Sequence, residues 1–272
     1  MDAGEQFRKE REERIRAQGQ NAPIKTAADA FRLESVKSLY SYNFSWLSRP
    51  IIQYPQDMVA MQEIIWQVRP DLIIETGIAH GGSLIMSASL LAMIEYCDAI
   101  EAKQTLDPSK PRRHVLGLDI DIRAHNRKAI EQHPLSNRIT MIEGSSVDPK
   151  IIAQVHERAA HATKVLVCLD SNHTHEHVLA ELEAYAPLTS IDSYCVVFDT
   201  IIDEVPGSTY PDRPWEPGNS PKSAAIAYRE RLEKQAVLDR SGARLRFEVD
   251  RVIDAKVLIS VNPEGYLKRV QS

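Results

Sequence analysis

Five short apolar runs, each with an acid at its C-terminal end and each separated from the next by a stretch of different periodicity, constrain this chain more than any other feature. The runs cover residues 71–76, 114–118, 138–143, 164–169 and 193–198. Continuous apolar stretches of this length are what a parallel strand buried on both faces requires. Segments 84–96, 124–132, 149–160 and 174–186 between them carry the composition of helices. Strand and helix alternating in this way predict a doubly wound, mostly parallel sheet, a Rossmann-like α/β fold. Two later apolar stretches, 245–249 and 256–261, are expected to close the sheet as an antiparallel pair and bring it to seven strands.

The flanking segments read differently. Residues 5–18 alternate acids and bases as a solvated helix does, and the polar stretch 18–21 interrupts them. We take 1–48 as an N-terminal helical extension and 49–272 as the catalytic domain, with a helix at 57–68 leading into the first core strand. Residues 206–221 hold many of the prolines together with Trp215, which predicts an irregular lid, drawn at about 203–223, before a helix at 224–238.

A chain of 272 residues with 43% hydrophobic and 26% charged residues can bury one substantial core. The net charge of −5 and the scattered bases argue against a nucleic-acid surface and for a small-molecule partner. Cys97, Cys168 and Cys195 imply no disulfide framework. No secretory signal or bilayer-spanning stretch is evident, which places the protein in the cytoplasm. Oligomeric state stays open, although the charged N-terminal helix offers a surface to a second copy.

In a doubly wound sheet, ligands bind beyond the carboxyl ends of the strands. Here those ends carry Glu75, Asp119, Glu143 with Ser145, Asp170 and Asp199, which would ring one crevice. The first turn, Gly77-Ile78-Ala79-His80-Gly81-Gly82-Ser83, is not the G-x-G-x-x-G that seats a pyrophosphate on a helix N-terminus. An acid ahead of a glycine turn suits a cofactor that bears positive charge and no phosphate, and Gly77 and Gly81 would let backbone approach it. S-adenosylmethionine is such a molecule. Asp119 then accepts from the ribose hydroxyls and Gly144-Ser145-Ser146 lines the adenine. The bland alternative is that these acids and serines only cap helices.

With these residues in view, the chain resembles the cephalosporin hydroxylase family, which despite its name has a class I methyltransferase fold and includes sugar O-methyltransferases among its relatives. The carriers are Ile74-Glu75-Thr76-Gly77-Ile78-Ala79-His80-Gly81-Gly82-Ser83, Gly117-Leu118-Asp119-Ile120-Asp121-Ile122-Arg123, Leu169-Asp170-Ser171-Asn172-His173-Thr174-His175 and Gly218-Asn219-Ser220-Pro221-Lys222-Ser223-Ala224. The resemblance implies an S-adenosylmethionine-dependent O-methyltransferase acting on a small molecule, a sugar hydroxyl among the candidates. It implies cofactor binding by Glu75, Gly77, Ser83, Asp119 and Ser145, and a divalent metal near the ends of the fourth and fifth strands. Asp170 and Asp199, on adjacent strands roughly 4.8 Å apart, could share one Mg²⁺. Some relatives place two acids in succession after the fifth strand; here Phe198 precedes Asp199, so sites with and without the metal both stay open.

Three histidines follow Asp170, and on a helix Asp170, His173 and His177 would share a face. In one reading His173 is the general base for the acceptor hydroxyl, beside Asp170. In a second, two histidines and Asp170 form the facial triad of a non-haem Fe(II) oxygenase. A third alternative is a non-catalytic nucleoside-binding partner protein. His175 and His177 read most simply as helix-face residues, and Trp215 either stacks on a sugar or is pinned on the core.

Overall fold

The computed structural model describes residues 2–239 and 242–271. Two helices open the chain. Helix α1 (Ala3–Gln20) starts from a capping box between Asp2 and Glu5, and α2 (Ala22–Lys37) starts from Asn21, whose side chain accepts the Ile24 N–H. Strands β1 (Phe44–Trp46) and β2 (Arg49–Ile51) then form a hairpin that sequence periodicity does not reveal. Leu47 and Ser48 at its tip both have positive φ, as the tight turns favoured in hairpins require.

The α/β repeat follows: α3 (Pro55–Val68), β3 (Leu72–Thr76), α4 (Gly82–Ala102), β4 (His114–Asp119), α5 (Ala124–Glu131), β5 (Ile139–Glu143), α6 (Pro149–Ala159), β6 (Val165–Leu169), α7 (His175–Tyr185), β7 (Tyr194–Val197). After the lid come α8 (Pro221–Lys234), β8 (Phe247–Val249), α9 (Arg251–Val257) and β9 (Tyr266–Arg269). The seven-stranded sheet has the order β5-β4-β3-β6-β7-β9-β8; its first five strands are parallel, and β9 runs antiparallel to both β7 and β8. The expected class and strand count therefore hold.

Alternation along each strand divides the core into two layers. Leu72, Ile74, Val165 and Val167 face the side covered by α6, α7 and α8, whereas Ile73, Val115, Leu166 and Val196 face the side covered by α3 and α4. Every residue of β3, β6 and β7 is buried, which fixes register because a one-residue slip would exchange the two faces.

One strand expectation fails. Residues 256–261 do not form a strand: Asp250 accepts the N–H groups of Val252 and Ile253 and starts α9, whose Ile253 and Val257 pack on the core one turn apart. The closing strand is β9 instead, disguised by Lys268 and Arg269. Arg269 is buried there because its guanidinium reaches the Thr189 carbonyl and the Asp239 carboxylate.

Helix α4 is also longer than its expected 84–96, and by length and composition alone it could cross a membrane. Leu84, Ile85 and Leu91 are fully buried in the protein, so it is a core helix here. The N-terminal helix meets its own chain: Gln18 donates to the Ala255 and Lys256 carbonyls at the end of α9.

Candidate active site

Strand register brings the acidic tips together. Thr76 pairs with Leu118 on one side and with Leu169 on the other, Asp119 pairs with Glu143, and Leu169 pairs with Val197. Glu75, Asp119, Glu143, Asp170 and Asp199 thus lie along one edge of five consecutive strands.

The turn after β3 is held in shape from several sides. Asp119 Oδ2 accepts the N–H groups of Ile78 and Ala79 at 2.8 and 3.2 Å, and its Oδ1 accepts that of Asp121 at 3.1 Å. On the far side Arg49 of β2 donates to the His80 carbonyl and to Asn126 Oδ1, while Asn126 Nδ2 donates to the Ala79 carbonyl. Gly77 has φ +87°, and a Cβ on it would fall 1.9 Å from the Asp170 carbonyl oxygen. Gly81, at φ +81°, lies against the Ile130 side chain. Both glycines therefore have packing reasons that do not need a ligand.

Glu75 is fully enclosed, and burial pushes its carboxyl up to about 7 against the hydrogen bond it accepts from Ser83 Oγ. Ser145 is half-buried in the turn after β5, and its neighbour Ser146 is buried. Asp170 is raised well above the usual carboxylate range by burial first, then by the charges of Asp199, Glu75 and Glu181; Gln53 opposes this weakly, its Nε2 lying 3.4 Å from Asp170 Oδ2. Among the described residues no lysine or arginine forms an ion pair with Glu75, Asp170 or Asp199. Glu143, by contrast, pairs with Arg127 at 2.7 Å.

Asp170, His173 and Asp199 converge, with one donor atom from each within 4.8 Å of the others. His173 Nε2 lies 3.2 Å from Asp199 Oδ2, and Asp199 takes a left-handed backbone conformation with its N–H donated to Asn262. The lid closes over this group: the rings of Trp215 and His173 meet edge to face at 4.7 Å. Asn219 ties the lid to α7 by accepting the His175 N–H and donating to the Pro214 carbonyl, and Asp203 accepts from Gly218 and Ser220.

The other histidines go elsewhere. Asp170 and His173 are not on a helix, because Asn172 Oδ1 accepts from the Thr174 N–H and hydroxyl and α7 begins only at His175. His175 pairs with Ser223, and His177 lies 3.0 Å from Ser146 Oγ and 3.3 Å from Ser171 Oγ. One histidine with two carboxylates is the reverse of the two-histidine set of an Fe(II) facial triad. Periodicity missed Gln53, Arg49 and Asn126; their roles arise from a hairpin and a short helix whose placement depends on tertiary packing.

A cavity of about 290 Å³ opens from His173 and Asp199, walled by the lid at Tyr210 and Trp215 and by Leu39 and Tyr42 of the N-terminal segment.

Comparison with known proteins places these features in context. The family described as Rhamnosyl O-methyltransferase/CmcI matches residues 38–270. The rhamnosyl O-methyltransferase of Mycobacterium bovis (strain BCG / Pasteur 1173P2) is 32% identical over 154 residues, 55% of this chain and 54% of that protein. That of Mycobacterium leprae (strain TN) is 28% identical over 163 residues, 60% of this chain and 62% of the relative. The chain thus spans about half the length of the first of these relatives. Among solved structures, the apo form of CmcI-N160 superposes with a TM-score of 0.51 at 18% identity, over 85% of this chain and 78% of that one. The likeness is one of fold.

Proposed function

Because the chain belongs to the Rhamnosyl O-methyltransferase/CmcI family, we propose that it is an S-adenosylmethionine-dependent O-methyltransferase whose acceptor is a hydroxyl of a sugar-type small molecule. The observation that carries this is the convergence of Asp170, His173 and Asp199 beside the Glu75–Ser83 turn, at the end of the sheet where such folds bind ligands. The relatives named above are rhamnosyl O-methyltransferases, which supports a sugar as acceptor.

In this proposal the turn at Gly77 to Ser83 receives the methionine part of the donor, Glu75 offers negative charge to it, Asp119 accepts from the ribose hydroxyls, and Ser145 borders the adenine. Gly81 shapes the turn from which α4 departs. Among the described residues Glu75, Asp170 and Asp199 have no lysine or arginine partner, so their charge suits a sulfonium. The same shortage fits a divalent ion: Asp170 and Asp199 supply the oxygen donors that Mg²⁺ prefers, and His173 stands beside them. The ion, when bound, supplies positive charge that lowers the pKa of an acceptor hydroxyl.

The chemical step is a displacement. The acceptor oxygen attacks the methyl carbon in line, the C–O bond forms as the C–S bond breaks, and the sulfonium becomes a neutral thioether. His173 Nε2 faces the Asp199 carboxylate at 3.2 Å, so the hydroxyl proton leaves to the other ring nitrogen, Nδ1, and Asp199 stabilises the resulting imidazolium. Trp215 and the rest of the lid restrict water around the reacting atoms.

Three free cysteines, two of them buried, fit a reducing compartment, and we place the reaction in the cytoplasm. The exposed first turns of α1 leave a surface for a homo-oligomeric contact. Titration of the purified protein with S-adenosylhomocysteine by calorimetry, followed by radiolabelled methyl transfer to a panel of pyranosides, tests the proposal. Absence of cofactor binding at millimolar concentration defeats it.

A further inference from the structure

The turn after β3 is held on one side by Asp119 and on the other by a segment from outside the α/β repeat. The β1–β2 hairpin packs against α4 so closely that a Cβ on Gly82 would fall 2.2 Å from the Pro50 carbonyl oxygen. Trp46 Nε1 donates to Ser89 Oγ at 2.9 Å, and His133 Nε2 lies 3.3 Å from the Leu47 carbonyl oxygen, so the hairpin is fastened both to α4 and to the loop after α5. From there Arg49 reaches the turn: its Nε and Nη2 both donate to the His80 carbonyl, and Nη2 also donates to Asn126 Oδ1 at 3.0 Å. Asn126, only 3% exposed, extends the tie through Nδ2 to the Ala79 carbonyl at 2.9 Å.

These bonds fix two successive peptide planes by their carbonyl ends. In a trans peptide the N–H points opposite to the C=O, so the tie from Asn126 to the Ala79 carbonyl turns the His80 N–H away from α5. Among the described residues that N–H has no hydrogen-bond partner, whereas Ile78 and Ala79 give theirs to Asp119 and Gly81 gives its own to the Ile78 carbonyl. The first N–H groups of α4 come next in the chain, without intrahelical acceptors as at any helix start and with no side-chain cap. A run of donors of this kind suits one carboxylate. Arg49 adds charge behind them: it is half-buried, and among the described residues no carboxylate pairs with it.

Resting on the methyltransferase reading above, we infer that Arg49 and Asn126 are positioning residues for the amino-acid end of the donor. They act through the turn, holding the His80 N–H and the start of α4 in place before the cofactor arrives, so that binding does not have to order those peptides. Loss of Arg49 releases both planes and removes the nearby cation. The cost falls on the carboxylate of the methionine part and spares the nucleoside, whose contacts belong to the tips of β4 and β5. The hairpin, which lies ahead of the first core strand, is in this view part of the cofactor site.

The test measures by calorimetry the binding of S-adenosylhomocysteine and of 5′-methylthioadenosine, a nucleoside thioether without the amino acid, to wild type, Arg49→Met and Arg49→Lys. We expect Arg49→Met to weaken S-adenosylhomocysteine by roughly tenfold or more, Arg49→Lys to weaken it less, and both to leave 5′-methylthioadenosine within about twofold of wild type. Hydrogen exchange of the unliganded variants should quicken in residues 78–84 and not in β4 or β6. Asn126→Ser, which loosens the tie to the Ala79 carbonyl, carries the same comparison if Arg49→Met does not fold. Equal weakening of both ligands, or faster exchange spread over the sheet, overturns the inference and leaves Arg49 a purely structural role. Unchanged S-adenosylhomocysteine affinity in Arg49→Met overturns it as well. Failure of the wild type to bind S-adenosylhomocysteine overturns the methyltransferase reading instead.

Discussion

The α-carbon of Gly77 lies against the carbonyl of Asp170, so close that a methyl group on Gly77 would fall 1.9 Å from that oxygen. Two loops with different tasks share this contact: Gly77 opens the turn proposed to receive the cofactor, and Asp170 opens the segment that carries His173. The Asp170 N–H also donates to the Thr76 carbonyl at 2.9 Å, so the two strand ends are bonded to each other just before they diverge. Displacing either loop displaces the other.

Gly77→Ala therefore damages both. The left-handed φ of +87° disfavours any side chain by about 1 kcal/mol or more, and the overlap is with backbone, which cannot turn away. We expect a loss of roughly 2–4 kcal/mol in denaturant unfolding together with loss of cofactor binding. A variant with native stability and native cofactor affinity would show that the two loops are not locked together.

Glu75 makes cofactor affinity depend on pH. Its carboxyl is raised from 4.5 to about 7 by burial, so below that value the folded protein holds a proton there. A positively charged donor favours the ionised form, and binding must release that proton. Affinity should rise by up to about tenfold per pH unit as pH approaches 7 and flatten above it. Stability of the free protein runs the other way. The contribution of Glu75 is complete below the unfolded pKa near 4.5 and is lost as pH rises through about 7. Calorimetry across pH 5.5–8.5 with wild type and Glu75→Gln, which should abolish the slope, checks both signs.

The parts of this design visible in sequence are those set by local pattern. Apolar runs such as 164–169 and 193–198 declare themselves because every residue of β6 and β7 is buried, and the acids at their ends are placed by the sheet once strand order is known. Strand β9 was hidden because its Arg269 is a buried charge satisfied by Asp239 and Thr189, distant in sequence. Residues 256–261 misled because their apolar content fits a strand, while the cap at Asp250 that selects helix lies before them. The wall formed by Leu39 and Tyr42 was likewise illegible, since nothing in a charged N-terminal segment says where it docks.

His173 is the residue whose loss should separate binding from chemistry. His173→Ala should lower methyl transfer by roughly 10²–10⁴-fold, the usual contribution of a general base, with cofactor affinity within about twofold of wild type. His173→Gln should not recover the rate, because an amide cannot take the proton. Single-turnover measurements with saturating cofactor make the comparison; an unaltered rate in either variant would remove His173 from the proposed role.

Asp170 offers the clearest separation of function from stability. Its carboxylate is half-buried near the charges of Asp199, Glu75 and Glu181, and the amide of Gln53 at 3.4 Å is a weak counterweight. A carboxyl held well above its ordinary range in the folded state lowers stability progressively as pH rises past the unfolded pKa, because the unfolded chain ionises freely and the folded one does not. Asp170→Asn removes that charge at nearly the same volume. The ion-free variant should be more stable than wild type at pH 8, by about 1–3 kcal/mol, with the difference shrinking toward pH 4. The cost of the carboxylate to the free protein is the condition for holding a cation, so millimolar Mg²⁺ should raise the wild-type Tm and leave that of Asp170→Asn unchanged. Thermal unfolding of both proteins at pH 4, 6 and 8, with and without Mg²⁺, decides the matter. A variant less stable than wild type at pH 8 without the ion would mean that Asp170 is compensated within the chain, and the case for a cation between Asp170 and Asp199 would fall with it.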